Sequence, residues 1–251
     1  MTASRLQLAK TWVAAGLCMA ALGTSGVATA QGTSAYAITP LDSDGAVVAR
    51  FNDPNLKNPW GVAFNPFGFV WVANNHTATS TLYDGNGTPQ TLVVAVPGAG
   101  GAPGSPTGIV YNGSGSFVVT KNGLSGPSRF IFAGEDGALA GWAPTVDQTN
   151  AVLVPTVPSA GTSYKGLALA TNGQGSFLFA TDFHNAKIDV YDGTFQRVTW
   201  AGAFTDPELP AGYAPFGIQN LQGNLYVTYA LQDPNGGGDE VAGRGDRKSV
   251  V

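Results

Sequence analysis

The sequence predicts an all-β protein: a β-propeller of four-stranded antiparallel blades, with about four blades present. Three observations lead there. A Gly-anchored apolar strand followed by a turn and a second apolar strand recurs four times, with 47, 58 and 51 residues separating Gly61, Gly108, Gly166 and Gly217. Asp-Gly and Asn-Gly pairs punctuate the apolar runs, and both tolerate the positive φ that tight hairpins require. No stretch after residue 30 carries a sustained helical period. A period near fifty with several short strands per unit is the mark of propeller blades.

The first thirty residues read as an export address rather than part of the fold. Arg5 and Lys10 form a basic start, Trp12 to Val27 is short and mainly apolar, and Ala28-Thr29-Ala30 offers a small-x-small cleavage site after Ala30. The run is too short and glycine-broken for a membrane span, so the mature chain is expected to have none. Cys18 is the one cysteine and lies inside this leader, so an exported mature chain holds no disulfide and rests on its apolar core. The expected location is secreted or periplasmic. Loss of Arg5 and Lys10 takes the net charge from −4 to −6. A sparsely charged, acidic surface argues against nucleic acid and anionic membranes as partners.

The four units follow in order within residues 31–241. The first opens on Pro59-Trp60-Gly61-Val62-Ala63-Phe64, continues through Phe69–Asn74 and Ser80–Tyr83, turns at Asp84-Gly85 and closes on Gln90–Val96. The second has Pro106–Tyr111, Phe117–Lys121 as its second strand, then Ser128–Phe132 and a turn at Glu135-Asp136-Gly137. The third has Tyr164–Leu169, Phe177–Asp182 and Lys187–Tyr191 before Asp192-Gly193; the fourth has Pro215–Ile218 and Leu225–Tyr229. Trp60, Trp71, Phe64, Phe177, Phe179 and Phe216 are expected to pack between blades, an aromatic cage around a ligand being the alternative.

Asp182-Phe183-His184-Asn185-Ala186-Lys187-Ile188-Asp189-Val190-Tyr191-Asp192 resembles the NHL repeat. Asn58-Pro59-Trp60-Gly61 followed by Ser80-Thr81-Leu82-Tyr83-Asp84-Gly85 is similar to a family of secreted bacterial NHL-like propellers that often carry a C-terminal PEP-CTERM sorting signal. The resemblance covers residues 36–241 and speaks to fold rather than chemistry. It implies further blades after Val241. The basic segment 242–251 matches no blade strand, so the fourth unit is expected to lack its outer strands, and the ring to be incomplete through truncation with foreign sequence at its end. A complete four-bladed ring with a frayed tail is the alternative.

Aligned second strands put Asn74, Lys121, Asp182 and Tyr229 at one register, and His76, Gly123 and His184 at another. Residues at one register share a face of a propeller. Asn74 and Asp182 carry oxygen donors suited to Ca²⁺ or Mg²⁺, and His184 beside them would complete a candidate metal site. The same Asn and Asp suit hydrogen bonds to turn backbone, and Lys121 in that ring would repel a cation. Asp42-Ser43-Asp44-Gly45 lacks the later ligands of a calcium loop and reads as a turn. No nucleophile elbow, zinc-protease motif or phosphate loop is present in the sequence. The expectation is a non-catalytic scaffold or binding module with a polypeptide or glycan partner. The alternative is a divalent-metal-dependent hydrolase or lyase on a small lactone-like substrate.

Overall fold

The computed structural model describes residues 37–155, 160–235 and 238–241, and the backbone of Arg247–Val250. The expected leader with Cys18 and Ala30, and tail residues 242–246 and 251, lie outside the described residues. All sheets belong to the unit Thr39–Val251. Among the described residues no helix is long and apolar enough to cross a membrane.

A short parallel pair, β1 (Asp42–Ser43) and β2 (Phe51–Asn52), precedes the blades. Blade 1 is β3 (Pro59–Phe64), β4 (Val70–Asn74), β5 (Thr79–Tyr83) and β6 (Pro89–Ala95), an antiparallel meander in that order. Blade 2 starts with β7 (Pro106–Tyr111). A separate hairpin of β8 (Val118–Lys121) and β9 (Leu124–Pro127) intervenes before β10 (Phe130–Gly134), β11 (Leu139–Trp142) and β12 (Val152–Leu153). Blade 3 is β13 (Tyr164–Asn172), β14 (Gly175–Asp182), β15 (Lys187–Tyr191) and β16 (Arg197–Val198). Blade 4 is β17 (Tyr213–Leu221), β18 (Asn224–Leu231) and β19 (Arg247–Val250). The protein is therefore an all-β propeller whose inner strands β3, β7, β13 and β17 pack against one another in sequence. Among the described residues no packing of that kind joins β17 back to β3, and no closed ring is formed.

Each blade owes its shape to local chemistry. Asp84, Asp136 and Asp192 close the tight turns by accepting backbone N–H bonds from Asn86 and Thr88, from Ala138, and from Thr194 and Gln196. These side chains imitate a backbone turn, which is why Asp recurs there. Asp44 does the same for Ala46 and is paired with Lys57, as a plain turn should be.

Two sequence expectations are corrected. Phe117–Lys121 is not the second strand of blade 2; β10 pairs with β7 in that place, and β8–β9 form an inserted hairpin. A central blade strand is covered on both faces and needs an unbroken apolar run. Phe130–Gly134 is buried at every position, whereas β8 alternates, with Val118 exposed and Val119 buried. Phe117, at the hairpin base, is fully buried against Phe195 of blade 3, and its N–H bonds Gly193 O. The basic tail is the second correction, because Arg247–Val250 pairs antiparallel with Tyr226–Tyr229 as the third strand of blade 4.

The anchor glycines explain the recurrence. A Cβ on Gly61 would lie 2.5 Å from Thr107 O, one on Gly108 2.5 Å from Leu167 Cβ, and one on Gly166 2.8 Å from Phe216 O. Each glycine thus lets an inner strand close on the inner strand of the next blade, where any side chain would collide. Between these joints lie the cores. Trp71 stacks on Phe130 at 4.0 Å between blades 1 and 2, and Phe177 and Phe179 pack with Ile218 and Tyr229 between blades 3 and 4. Phe64 departs from the expected packing and is exposed, while Trp60 and Phe216 are only half-buried.

Candidate axial site

The residue before each anchor glycine sits at the head of an inner strand: Trp60, Thr107, Lys165 and Phe216. The residue after each second strand sits beside them: Asn75, Glu135 and Phe183 in blades 1 to 3. These two registers meet. Trp60 and Phe216, from the first and fourth blades, lie 5.8 Å apart between ring centroids and tilted by 37°. Phe183 meets Phe216 edge-on at 5.4 Å.

Lys165 is the centre of this cluster. Its side chain is 1% exposed, yet Nζ donates to Glu135 Oε1 at 2.6 Å and to Asp239 Oδ1 at 3.1 Å. Nζ also lies 5.4 Å from the centre of the Trp60 ring and 6.0 Å from that of Phe183, so the aromatic faces add cation–π attraction. Burial works against the ammonium, but the two carboxylates outweigh it and hold Lys165 above its ordinary pKa. Glu135 is shared, since its Oε2 accepts from Asn75 Nδ2 at 2.9 Å, and Asn75 Oδ1 accepts from Asn58. Thr107 turns inward, donating to Tyr164 O at 2.6 Å. One ammonium against two carboxylates leaves the cluster with a net negative charge, and the half-buried Trp60 and Phe216 rings lie beside it. Farther along the same inner strands, a cavity of about 670 Å³ is lined by β3, β7, β13 and β17, with Phe64, Tyr111 and Leu169 among its walls.

The sequence-derived metal candidates occupy other places. Asp182, fully buried at the end of β14, accepts from Thr162 Oγ1, Ser163 N, and both the N–H and side-chain amide of Asn185, and pairs with Lys187 at 3.1 Å. It fastens the β14–β15 turn. Asn74 belongs to blade 1, is fully buried, and donates to Thr81 and Thr79; its Oδ1 has no hydrogen-bond partner. His184 is exposed beside a separate hollow lined by Gly212, Gln232 and Asp233. Among the described residues no group of three or more His, Cys, Asp or Glu is gathered as a metal site. Lys121 is not in the Asn74 register at all; it lies on the inserted hairpin, paired with Asp147, and Gly134 holds that register in blade 2.

Sequence reasoning missed Lys165, Glu135 and Asn75. The signal was available in the positions flanking the anchors, because the residue preceding each glycine forms a register of its own.

No family model matches the sequence. Two uncharacterized proteins of Acanthamoeba polyphaga mimivirus are similar to it. R648 is 33% identical over 211 residues, 82% of this chain and 51% of its own length. L690 is 30% identical over 211 residues, 82% of this chain and 55% of its own length. The chain spans about half the length of the curated relatives it matches. Among solved structures, a catalytically inactive virginiamycin B lyase from Staphylococcus aureus with quinupristin superposes with a TM-score of 0.48 at 13% identity, over 74% of this chain and 56% of that one. A chain of a nidogen/laminin complex does so with 0.43 at 14% identity, over 69% and 59%. The blade assignment rests on the strand pairings rather than on these distant likenesses.

Proposed function

We propose that the chain is an exported, non-catalytic binding module that takes a glycan segment on the Trp60–Phe216 pair. The observation that carries this reading is a pair of half-buried aromatic rings over a buried lysine whose ammonium two carboxylates already hold. The two rings offer apolar faces to a sugar, and the exposed Asn58 amide can meet its hydroxyls. An anionic ligand would be opposed, because Glu135 and Asp239 outnumber Lys165 and already hold its ammonium. Export follows from the Arg5–Ala30 leader, and an extracytoplasmic glycan or polypeptide is the partner that compartment supplies.

Titration with a panel of neutral oligosaccharides, followed by tryptophan fluorescence, tests the reading. Binding is expected to change the Trp60 signal and to be lost in Trp60→Ala while circular dichroism still shows the β fold. A panel that leaves the fluorescence flat overturns glycan recognition at this pair, and a polypeptide recovered by pull-down would replace it. The metal-dependent hydrolase or lyase alternative requires Asp182 to release its turn donors to a cation. Calorimetry with Ca²⁺ and Mg²⁺ separates the two readings, since the binding module predicts no heat that depends on Asp182.

A further inference from the structure

The charged side chains at the strand heads do not cancel. Lys165 brings one cation from blade 3, Glu135 one anion from blade 2 and Asp239 a second anion from the segment after β18. That segment, Gln232–Val241, also holds Asp233 and Glu240 and no basic residue. The two carboxylates on Lys165 differ in their remaining capacity. Both oxygens of Glu135 are engaged, Oε1 by Lys165 and Oε2 by Asn75. Asp239 Oδ1 accepts from Lys165, and its Oδ2 has no hydrogen-bond partner among the described residues. The lysine side chain is 1% exposed and that of Asp239 is 71% exposed, so the cation is hidden while the surplus negative charge faces water. Lys165 Nζ ties the two halves together, lying 3.1 Å from Asp239 Oδ1 and 5.4 Å from the centre of the Trp60 ring. A ligand lying on that ring can therefore reach the free carboxylate oxygen.

We propose that the glycan taken at the Trp60–Phe216 pair carries a protonated amino group, as a de-N-acetylated hexosamine oligomer does, and that Asp239 Oδ2 accepts from this ammonium. This rests on the glycan reading of the same pair and adds a charge requirement to it. Two effects favour the cation. The π-face of an aromatic ring attracts an ammonium, as the Trp60 and Phe183 rings already do for Lys165. The free carboxylate oxygen offers a charge-assisted hydrogen bond, which the neutral amide of an N-acetyl group cannot match. Lys165 opposes an incoming cation, but it lies out of water and two carboxylates outnumber it. An ion pair at an exposed carboxylate is worth a few-fold in affinity rather than orders of magnitude, so the amino group selects among glycans that the rings already hold.

Tryptophan-fluorescence titration with two oligomers of equal length, one of glucosamine and one of N-acetylglucosamine, tests the proposal. A mildly acidic, low-salt buffer keeps the amine protonated and carboxylates ionised. Both oligomers are expected to change the signal, the glucosamine oligomer binding more tightly by about two- to fivefold. Added salt should erase that margin, because screening weakens an exposed pair. Asp239→Asn leaves Glu135 on Lys165 and should bring the two affinities together, with that of the N-acetylated oligomer unchanged. Its side chain is largely exposed, so circular dichroism should show the same β structure. Equal affinities in the wild type overturn the amino requirement and leave glycan recognition standing, as does a preference that survives both salt and Asp239→Asn. Titrations in which neither oligomer binds overturn both.

Discussion

Lys165 and Glu135 form an ion pair at 2.6 Å across the joint between blades 2 and 3, with the lysine side chain almost wholly out of water. Removing one partner of such a pair strands the other, which costs more than the pair contributes. Glu135→Gln is expected to lower stability by about 1.5–3 kcal/mol, the range for hydrogen bonds to charged groups. Lys165→Met should cost less, because Glu135 and Asp239 remain solvent-accessible. The pH dependence has a definite sign. The raised pKa of Lys165 means its contribution is fully present below the ordinary lysine pKa and is lost only as pH climbs through the folded value. The gap between wild type and Glu135→Gln should therefore hold through neutral pH and close in strong alkali, as urea titrations at several pH values would show.

The anchor glycines predict a graded series. Gly61→Ala, Gly108→Ala and Gly166→Ala drive a Cβ into the backbone or Cβ of the next blade, and each should cost about 1–3 kcal/mol or more. Gly217→Ala meets only the side chain of Thr228, which can turn aside, so its cost should be the smallest. Equal losses at all four positions would remove the interblade explanation of the repeat.

Asp42 should be a site of easy stabilisation. Both its carboxylate oxygens are shielded from water without a hydrogen-bond partner, and burial, with Asp53 nearby, raises its pKa. A raised folded pKa means that the neutral acid favours the fold. That benefit is complete below the ordinary carboxylate pKa and is gone once pH passes the folded value. Asp42→Asn should accordingly raise the melting temperature at pH 7, and the gain should disappear near pH 3, well below neutrality.

Phe117 tests the inserted hairpin. It is fully buried at a register the sequence assigns to a blade strand, but its contacts are with Phe195 of blade 3. Phe117→Ala is expected to cost about 3–5 kcal/mol, the usual price of emptying a buried aromatic site. A loss under 1 kcal/mol on chemical denaturation would mean the hairpin is a surface ornament.

The blades, their order and their tight turns were legible in the chain because they depend on neighbours in sequence. Asp-Gly turns need only local φ angles, and apolar runs declare strands wherever they lie. Gly61, Gly108, Gly166 and Gly217 stood out for the same reason, although the collision that each avoids lies in another blade or, for Gly217, in none. The tertiary structure alone decided that Phe130–Gly134 displaces Phe117–Lys121 from the second place of blade 2. Both segments are apolar, and only burial on two faces distinguishes them. It alone brought Trp60, Asn75, Glu135, Lys165 and Asp239 together, residues up to 179 positions apart along the chain. It also parted Asn74 from Asp182, which equal registers had seemed to unite, and gave Asp182 to the turn at His184–Ala186. Registers within a sheet follow from alternation, but contacts between sheets follow from which side chains the packing of inner strands brings face to face, and that is written in no single segment.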